Sequence, residues 1–475
     1  MTAEPSRTSP WPARLSLAAT LLAIVLVNAL VLRNATAHEP TIGYDVGAHL
    51  HYARTLAQGR LPGPDDSEEF FAAPLAYLVP AVAAWFTDDW ERLAESWQVA
   101  NIVFSVILCG FLAALVRELA PGDSRWPLLA PAVAVCMLGT LPVYQKTFAM
   151  ARPDAFLAMA TVIAAVGVTR LCRAPESSAA RWAACGLLLA LPPLARQWGF
   201  FTALPMAGVL TLVAFRALPP RQALSRLLLA AGVAFAVGAP FYLSLQWRFG
   251  SMLTFNRDVA DESEFIADAA VETPPRGVLP DAAFERPLRP HLEGRPAWIF
   301  YSDFWGDYWL YYSVHARHAR GSLLAGTRAI DDDRNRRDPL IVASNYAAFA
   351  PILGGVNRTS LLPSALLLGG LGWAGVAAIR RWRRPGAMSG PLVLLAPCVA
   401  TAIGYGWFVV AYTHGSSFDT AKGVYVAHAV PLLVAATTLM IARLGERWPV
   451  AAWLLVGTFA AVAVHNLPAL LTTHV

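Results

Sequence analysis

Charge is what this chain has least of. Aspartate, glutamate, lysine and arginine make up 15% of its 475 residues, against about 25% in a soluble globular chain. That scarcity excludes an ordinary water-facing surface. Cysteine is scarce too. Cys109, Cys136, Cys172, Cys185 and Cys398 lie in or beside apolar runs and form no CxxC, which argues against a disulfide framework and a cysteine metal site. Lysine is rare beside arginine, and no internal repeat or tandem array is visible. The net charge of +5 does not point to nucleic acid, because the arginines sit in short loops between apolar runs.

What fills the chain is hydrocarbon: 56% of residues are hydrophobic and the mean hydropathy is +0.47. The excess falls in repeated runs of roughly 16–20 residues, the length that spans a bilayer as helix. Lipid offers no partner to open backbone groups, and the runs lack period-two alternation, so the expected class is an all-α polytopic membrane protein. The first run, 15–32, follows Arg7 and Arg14 and is long for a cleaved leader, although Ala35-Thr36-Ala37 has the look of a cut site. It reads as an uncleaved span with a cytoplasmic N-terminus.

Arginine-rich loops around 117–125, 170–181, 216–226, 380–384 and 443–447 are assigned to the same side. An even number of spans must separate them. The pairs 126–146 with 153–170, 182–196 with 199–215, 227–245 with 361–379, and 391–411 with 423–441 satisfy this, and 449–466 leaves the C-terminus outside. Between Arg14 and Arg117 the parity holds only if the short, Pro74-led run 74–86 lies along the interface. The expectation is thus 11 spans with outer-face interfacial helices at 46–58, 74–86 and 340–356. The chain divides into an N-terminal module 1–245, whose first outer loop is 33–97, a large outer loop 246–360, and C-terminal helices 361–475. The outer loop holds an acidic stretch from Asp258 to Asp268, the aromatic segment 298–312 and a charged turn 331–338.

Ionisable groups beside span ends all fall on the outer side. They are Asp45, His49, His51 and Arg54; Arg152 and Asp154; Arg196; Asp303 and Asp307; and His414, Asp419 and Lys422. Such groups are costly at membrane depth and usually line a cavity. Acids among several cations suit a phosphate-bearing substrate and a proton-transfer step. Simpler roles compete. Asp45 is a good N-cap for a helix starting at Val46, Asp154 suits a first turn after Pro153, and Arg196 reaches headgroups by snorkelling. His49, His51 and Arg54 read as the wet face of the first interfacial helix.

"GYDVGAHLHYARTLAQGRLP…FFAAPLAYLVPAV" resembles the first outer loop of the GT-C glycosyltransferases. These polytopic enzymes take a sugar from a polyprenyl-phosphate carrier. They include the dolichyl-phosphate-mannose protein mannosyltransferases and the bacterial aminoarabinose transferases of lipid A. Asp45, His49, Tyr52, Ala53, Gly59, Pro74 and Tyr77 carry the likeness. "ARPDAFLAMATV" resembles the acid of the second outer loop, "LARQWGFFTALP" a turn with Arg196 in place of lysine, and "AKGVYVAHAVPLL" the late motif, through Lys422 and Tyr425. Two departures stand out. Val46 occupies the place of a second acid, and the late motif lacks its arginine at Gly423-Val424.

The resemblance implies a GT-C fold and an integral-membrane, multi-pass transferase. It would move a sugar from a polyprenyl-phosphate carrier to an acceptor hydroxyl on a glycan, lipid or protein, with inversion. Asp45 and Asp154 take the catalytic places, Asp45 as general base. Arg152, Arg196, Lys422, Tyr425, His49 and Asp303 are the substrate-binding candidates. A divalent metal stays open, and the aromatics of 298–312 are expected over the sugar or the lipid phosphate. The rival readings are a multi-span transporter or flippase of envelope glycolipids, which tends to show inverted repeats, and a non-catalytic membrane subunit.

Overall fold

The computed structural model describes residues 11–120, 125–255, 281–288, 292, 294–313, 339–412 and 420–472. His414, Asp419, the stretch from Asp258 to Asp268 and the turn 331–338 lie outside the described residues.

Among the described residues every regular element is a helix. In chain order the elements are α1 Trp11–Ala37, α2 Val46–Ala57, α3 Leu78–Ala83, α4 Trp90–Leu119, α5 Arg125–Gly139, α6 Pro142–Ala149, α7 Asp154–Arg173, α8 Ala179–Ala195, α9 Phe200–Ala217 and α10 Pro220–Phe249. They continue with α11 Ala282–Glu285, α12 Pro296–Trp305, α13 Pro339–Arg380, α14 Pro385–Ala411, α15 Val430–Arg447, α16 Pro449–His465 and α17 Leu467–Leu470. Among the described residues seven helices are long and apolar enough to cross a bilayer, or eight if one bent pair is a single span. The eleven expected from hydropathy therefore include helices that stop short: Ala179–Ala195 and Pro449–His465 have 17 residues each, and α15 carries Arg443, Glu446 and Arg447 at its end.

The expected run 126–146 is broken. α5 and α6 meet at 72°, because Pro142 has no N–H to continue the ladder. Gln145 repairs the break by donating to the Gly139 carbonyl at 2.8 Å, while accepting from Asn34 at 3.0 Å. All eight residues of α6 are buried, so the bend carries Lys146 into the interior. A second difference concerns 340–356. Instead of a separate interfacial helix, this stretch is the first part of α13, which runs on through Pro351 and Pro363.

α7 organises the site. Of its most apolar window 78% is buried, and it packs on α4, α8, α9 and α14. Its first residue is Asp154 and its last is Arg173, so the helix places an acid and a base roughly 28 Å apart at 1.5 Å per residue. At the acid end lie α2 and the Pro74–Ala83 segment, both helical and joined by a stack of Tyr52 on Tyr77 at 3.9 Å. Gly43 is needed where the chain enters α2: its φ is +154°, and a Cβ there would meet Val46 Cγ2 at 2.8 Å.

Candidate active site

Asp45 precedes α2 in the left-handed region, at φ 58°, and its side chain caps nothing. Aspartate tolerates this backbone better than most residues. The consequence is that its carboxylate turns away from its own helix. It meets Lys422 Nζ at 3.1 Å and 3.3 Å, across 377 residues of sequence. The capping role is therefore not the one observed. Lys422 is one of only two lysines in the chain.

Behind this pair the two expected arginines clamp the second acid. Arg152 donates from Nε to Asp154 Oδ2 at 3.0 Å and from Nη1 to the Tyr44 carbonyl at 3.0 Å. Arg196 donates to the same Asp154 oxygen at 2.8 Å and reaches Glu69 at 3.4 Å. Arg152, Asp154 and Arg196 are buried. Tyr425 ties the cations together, with Arg196, Lys422 and Arg152 lying 5.2, 5.7 and 6.0 Å from its ring centre. Trp198 leans on Tyr425 at 5.6 Å and on Phe408 at 4.5 Å, which extends the aromatic wall.

His49 is not on the wet face. It is fully buried between Tyr77 and Trp97 and shares the buried side of α2 with Val46, Leu50 and Ala53. His51 and Arg54 do lie on the outer side, against Trp90, with rings 4.7 Å apart for His51 and the guanidinium 3.4 Å over the indole for Arg54. Burial pushes the His49 imidazole well below its ordinary pKa, and Arg196 and Arg152 push it further, so the ring is neutral. Burial alone would raise Asp45, but Lys422 and Arg152 outweigh it and hold the carboxyl below the usual carboxylate range. Glu69 goes the other way: burial lifts its carboxyl against the pull of Arg196.

Asp303 is fully buried and occupied. It accepts from Lys146 at 2.9 Å, from the Tyr44 hydroxyl at 2.6 Å and from the Gly423 N–H at 2.6 Å. Its place is therefore underneath the site, where it joins the first loop, α6 and the Lys422 segment. Gly423 is needed where the Lys422 segment meets α12. A Cβ there would lie 2.9 Å from the Phe304 backbone, so the late loop can press onto α12 only with glycine. Asp307 accepts from the N–H groups of Tyr311, Tyr312 and Ser313. The aromatics of 298–312 are largely interior, with Tyr308, Trp309 and Tyr312 at most 2% exposed. The wall beside the cations comes instead from Trp198, Phe408 and Tyr425.

Among the described residues one group of side chains could hold a metal ion. Ligand atoms of Asp45, His49 and Glu69 lie within 4.8 Å of one another. His49 Nδ1 is 2.9 Å from the Tyr77 hydroxyl. The tautomer that donates there leaves a lone pair on Nε2, which has no hydrogen-bond partner. Glu69 Oε2 is likewise buried without one. A neutral imidazole with two carboxylates is a donor set that suits a divalent ion, so these residues fit one.

Sequence reasoning missed Glu69 and Lys146. Glu69 sits in "DDSEEFF", where it looks like one of a solvated acidic run. Lys146 carried a usable signal, a lone ammonium in an apolar run, which marks a functional or paired site.

No family model matches this chain, and no curated protein matches it. Solved structures do. The Archaeoglobus fulgidus oligosaccharyltransferase, crystallised with zinc and sulfate, superposes with a TM-score of 0.50 at 12% identity, covering 95% of this chain and 53% of that one. ArnT from Cupriavidus metallidurans bound to undecaprenyl phosphate covers 93% of this chain and 80% of its own at 16% identity, with a TM-score of 0.36. The chain thus spans about half the length of the archaeal enzyme it matches. Identities this low speak to fold alone: over most of its length the chain resembles the archaeal oligosaccharyltransferase in fold.

Proposed function

We propose that this protein is an integral-membrane glycosyltransferase that moves a sugar from a polyprenyl-phosphate carrier to an acceptor hydroxyl on the outer face, with inversion. The observation that carries the reading is the Asp45–Lys422 ion pair, set against Arg152, Arg196 and Tyr425 at one end of the bundle. Acid and cations meet in one place, as a single displacement at a phosphate-linked sugar requires.

The acceptor oxygen attacks the anomeric carbon opposite the phosphate, the carbon–oxygen bond to phosphate breaks, and the hydroxyl proton passes to Asp45. The departing lipid phosphate needs charge stabilisation, and preorganised cations supply it. Lys422 serves both sides. While it rests on Asp45 it keeps that carboxylate weakly basic. When the donor phosphate draws the ammonium away, Asp45 regains basicity just as the substrate arrives. Asp154 acts by aiming both arginines. Asp45, His49 and Glu69 would hold a divalent ion, which when bound adds positive charge beside the acceptor.

The test is transfer by the purified full-length chain in liposomes, offered a panel of radiolabelled polyprenyl-phosphate sugars with hydroxyl acceptors. The expected product has the opposite anomeric configuration to the donor, read by NMR. A product of retained configuration would overturn the mechanism. Transport of the intact lipid without transfer would overturn the assignment.

A further inference from the structure

At the arginine-rich end of the bundle, far from Asp45, lies a cavity of about 260 Å3. It sits where α4 and α7 end and α14 begins, close to the lower end of the roughly 300–1,000 Å3 typical of ligand pockets. Its walls divide by character. Leu119 and Trp373 are apolar, and Arg173 and Arg381 bring two guanidinium groups. Ala387 belongs to the first turn of the 27-residue α14, whose dipole turns its positive end to the cavity.

The charge balance favours an anion. Among the described residues the one acid on the wall, Glu118, is already paired with Arg170 at 2.5 Å. Arg173 donates only to the Glu118 carbonyl. Arg381 has no carboxylate partner among the described residues. Burial lowers the Arg381 pKa, and Arg443, a second cation nearby, lowers it further. Arg173 is the last residue of one candidate span and Arg381 immediately follows another, the position in which basic residues meet lipid headgroups.

We infer that this cavity binds the phosphate headgroup of an anionic phospholipid, with Arg173 and Arg381 on the phosphate and Leu119 and Trp373 along the first acyl methylenes. Basic pockets between membrane helices favour this ligand class. The apolar walls select a lipid over a free ion, and the site is independent of sugar transfer.

Native mass spectrometry of the full-length protein, titrated with dioleoyl phosphatidylglycerol, dioleoyl phosphatidylcholine or inorganic phosphate, reads the binding directly. The expected result is one retained phosphatidylglycerol, at least tenfold tighter than phosphatidylcholine and not displaced by millimolar phosphate. Each arginine near a headgroup is worth about fivefold. Arg173→Gln with Arg381→Gln should therefore weaken binding roughly 25-fold, while the paired lysine substitutions keep most of it. Ala387→Leu fills the space without changing charge and should also expel the lipid, which guards against a double variant that fails to fold. Equal affinity for both lipids, unchanged binding by the folded glutamine pair, or displacement by inorganic phosphate would each overturn the inference.

Discussion

Replacing Asp45 by asparagine isolates one property of the candidate site. Asparagine has nearly the same shape and, like aspartate, accepts the left-handed backbone at φ 58°. What is lost is the negative charge and the ability to take a proton. The effect on folding should be small. The Asp45 and Lys422 side chains are 29% and 13% exposed, and partly solvated pairs contribute about 0–1 kcal/mol. The effect on transfer should be large, because a positioned general base typically gives about 10²–10⁴-fold, or roughly 3–5 kcal/mol in the barrier. Donor binding should hold or tighten, since Lys422 is released to the phosphate. The assay is steady-state transfer from a radiolabelled polyprenyl-phosphate sugar, with kcat and KM separated and Tm measured on the same preparation. A kcat fall of at least a hundredfold, with Tm nearly unchanged and donor KM no higher, is expected. Transfer within threefold of the parent would refute the base role. A matched collapse of Tm would show that the pair is structural.

Lys422→Gln should lower kcat/KM by roughly 10–100-fold, the worth of a charged hydrogen bond to phosphate. Lys422→Arg should rescue it only in part, because a planar fork does not replace a compact ammonium. A glutamine variant within twofold of the parent would exclude phosphate contact. Lys146→Met strands the buried Asp303 carboxylate and should destabilise the fold by about 3–5 kcal/mol. Adding Asp303→Asn should recover more than half of that in unfolding experiments, since the amide oxygen still accepts from Tyr44 or Gly423. The pH dependence separates the acids by sign. Asp45 is depressed, so its stabilising pair is complete above the ordinary carboxylate pKa and is lost only as pH falls through its lower folded value. Glu69 is raised, so its contribution is present at low pH and lost as pH rises through its folded value. Glu69→Gln should therefore gain stability relative to the parent from pH 4 to 8, and a flat difference would contradict the burial argument.

Much of the candidate site was legible because the signals were local. An ionisable group beside an apolar run stands out wherever it falls, and Asp45, Arg152, Asp154, Arg196 and Lys422 were all found that way. His49 was misjudged because helical periodicity gives the faces of α2 but not which face meets Trp97 and Tyr77. Eleven full-length spans are not seen among the described residues, because a hydropathy window does not register a proline bend such as that at Pro142 or the shortness of a helix such as α8 or α16.

By itself the sequence determined that the chain lives in a membrane, that it is helical, and that its ionisable groups gather at span ends. Those properties follow from composition and from the free energy of placing each residue in hydrocarbon, which accumulates along the chain. The tertiary structure alone decided the partners. It set Lys422 on Asp45 and not on Asp303, Lys146 on Asp303, and one oxygen of Asp154 between two arginines. Each pairing depends on a backbone turn or a close approach, such as the left-handed Asp45, the bend before Lys146 or the glycine at 423. A buried charge takes the opposite charge that packing brings within reach, and sequence distance has no part in that choice.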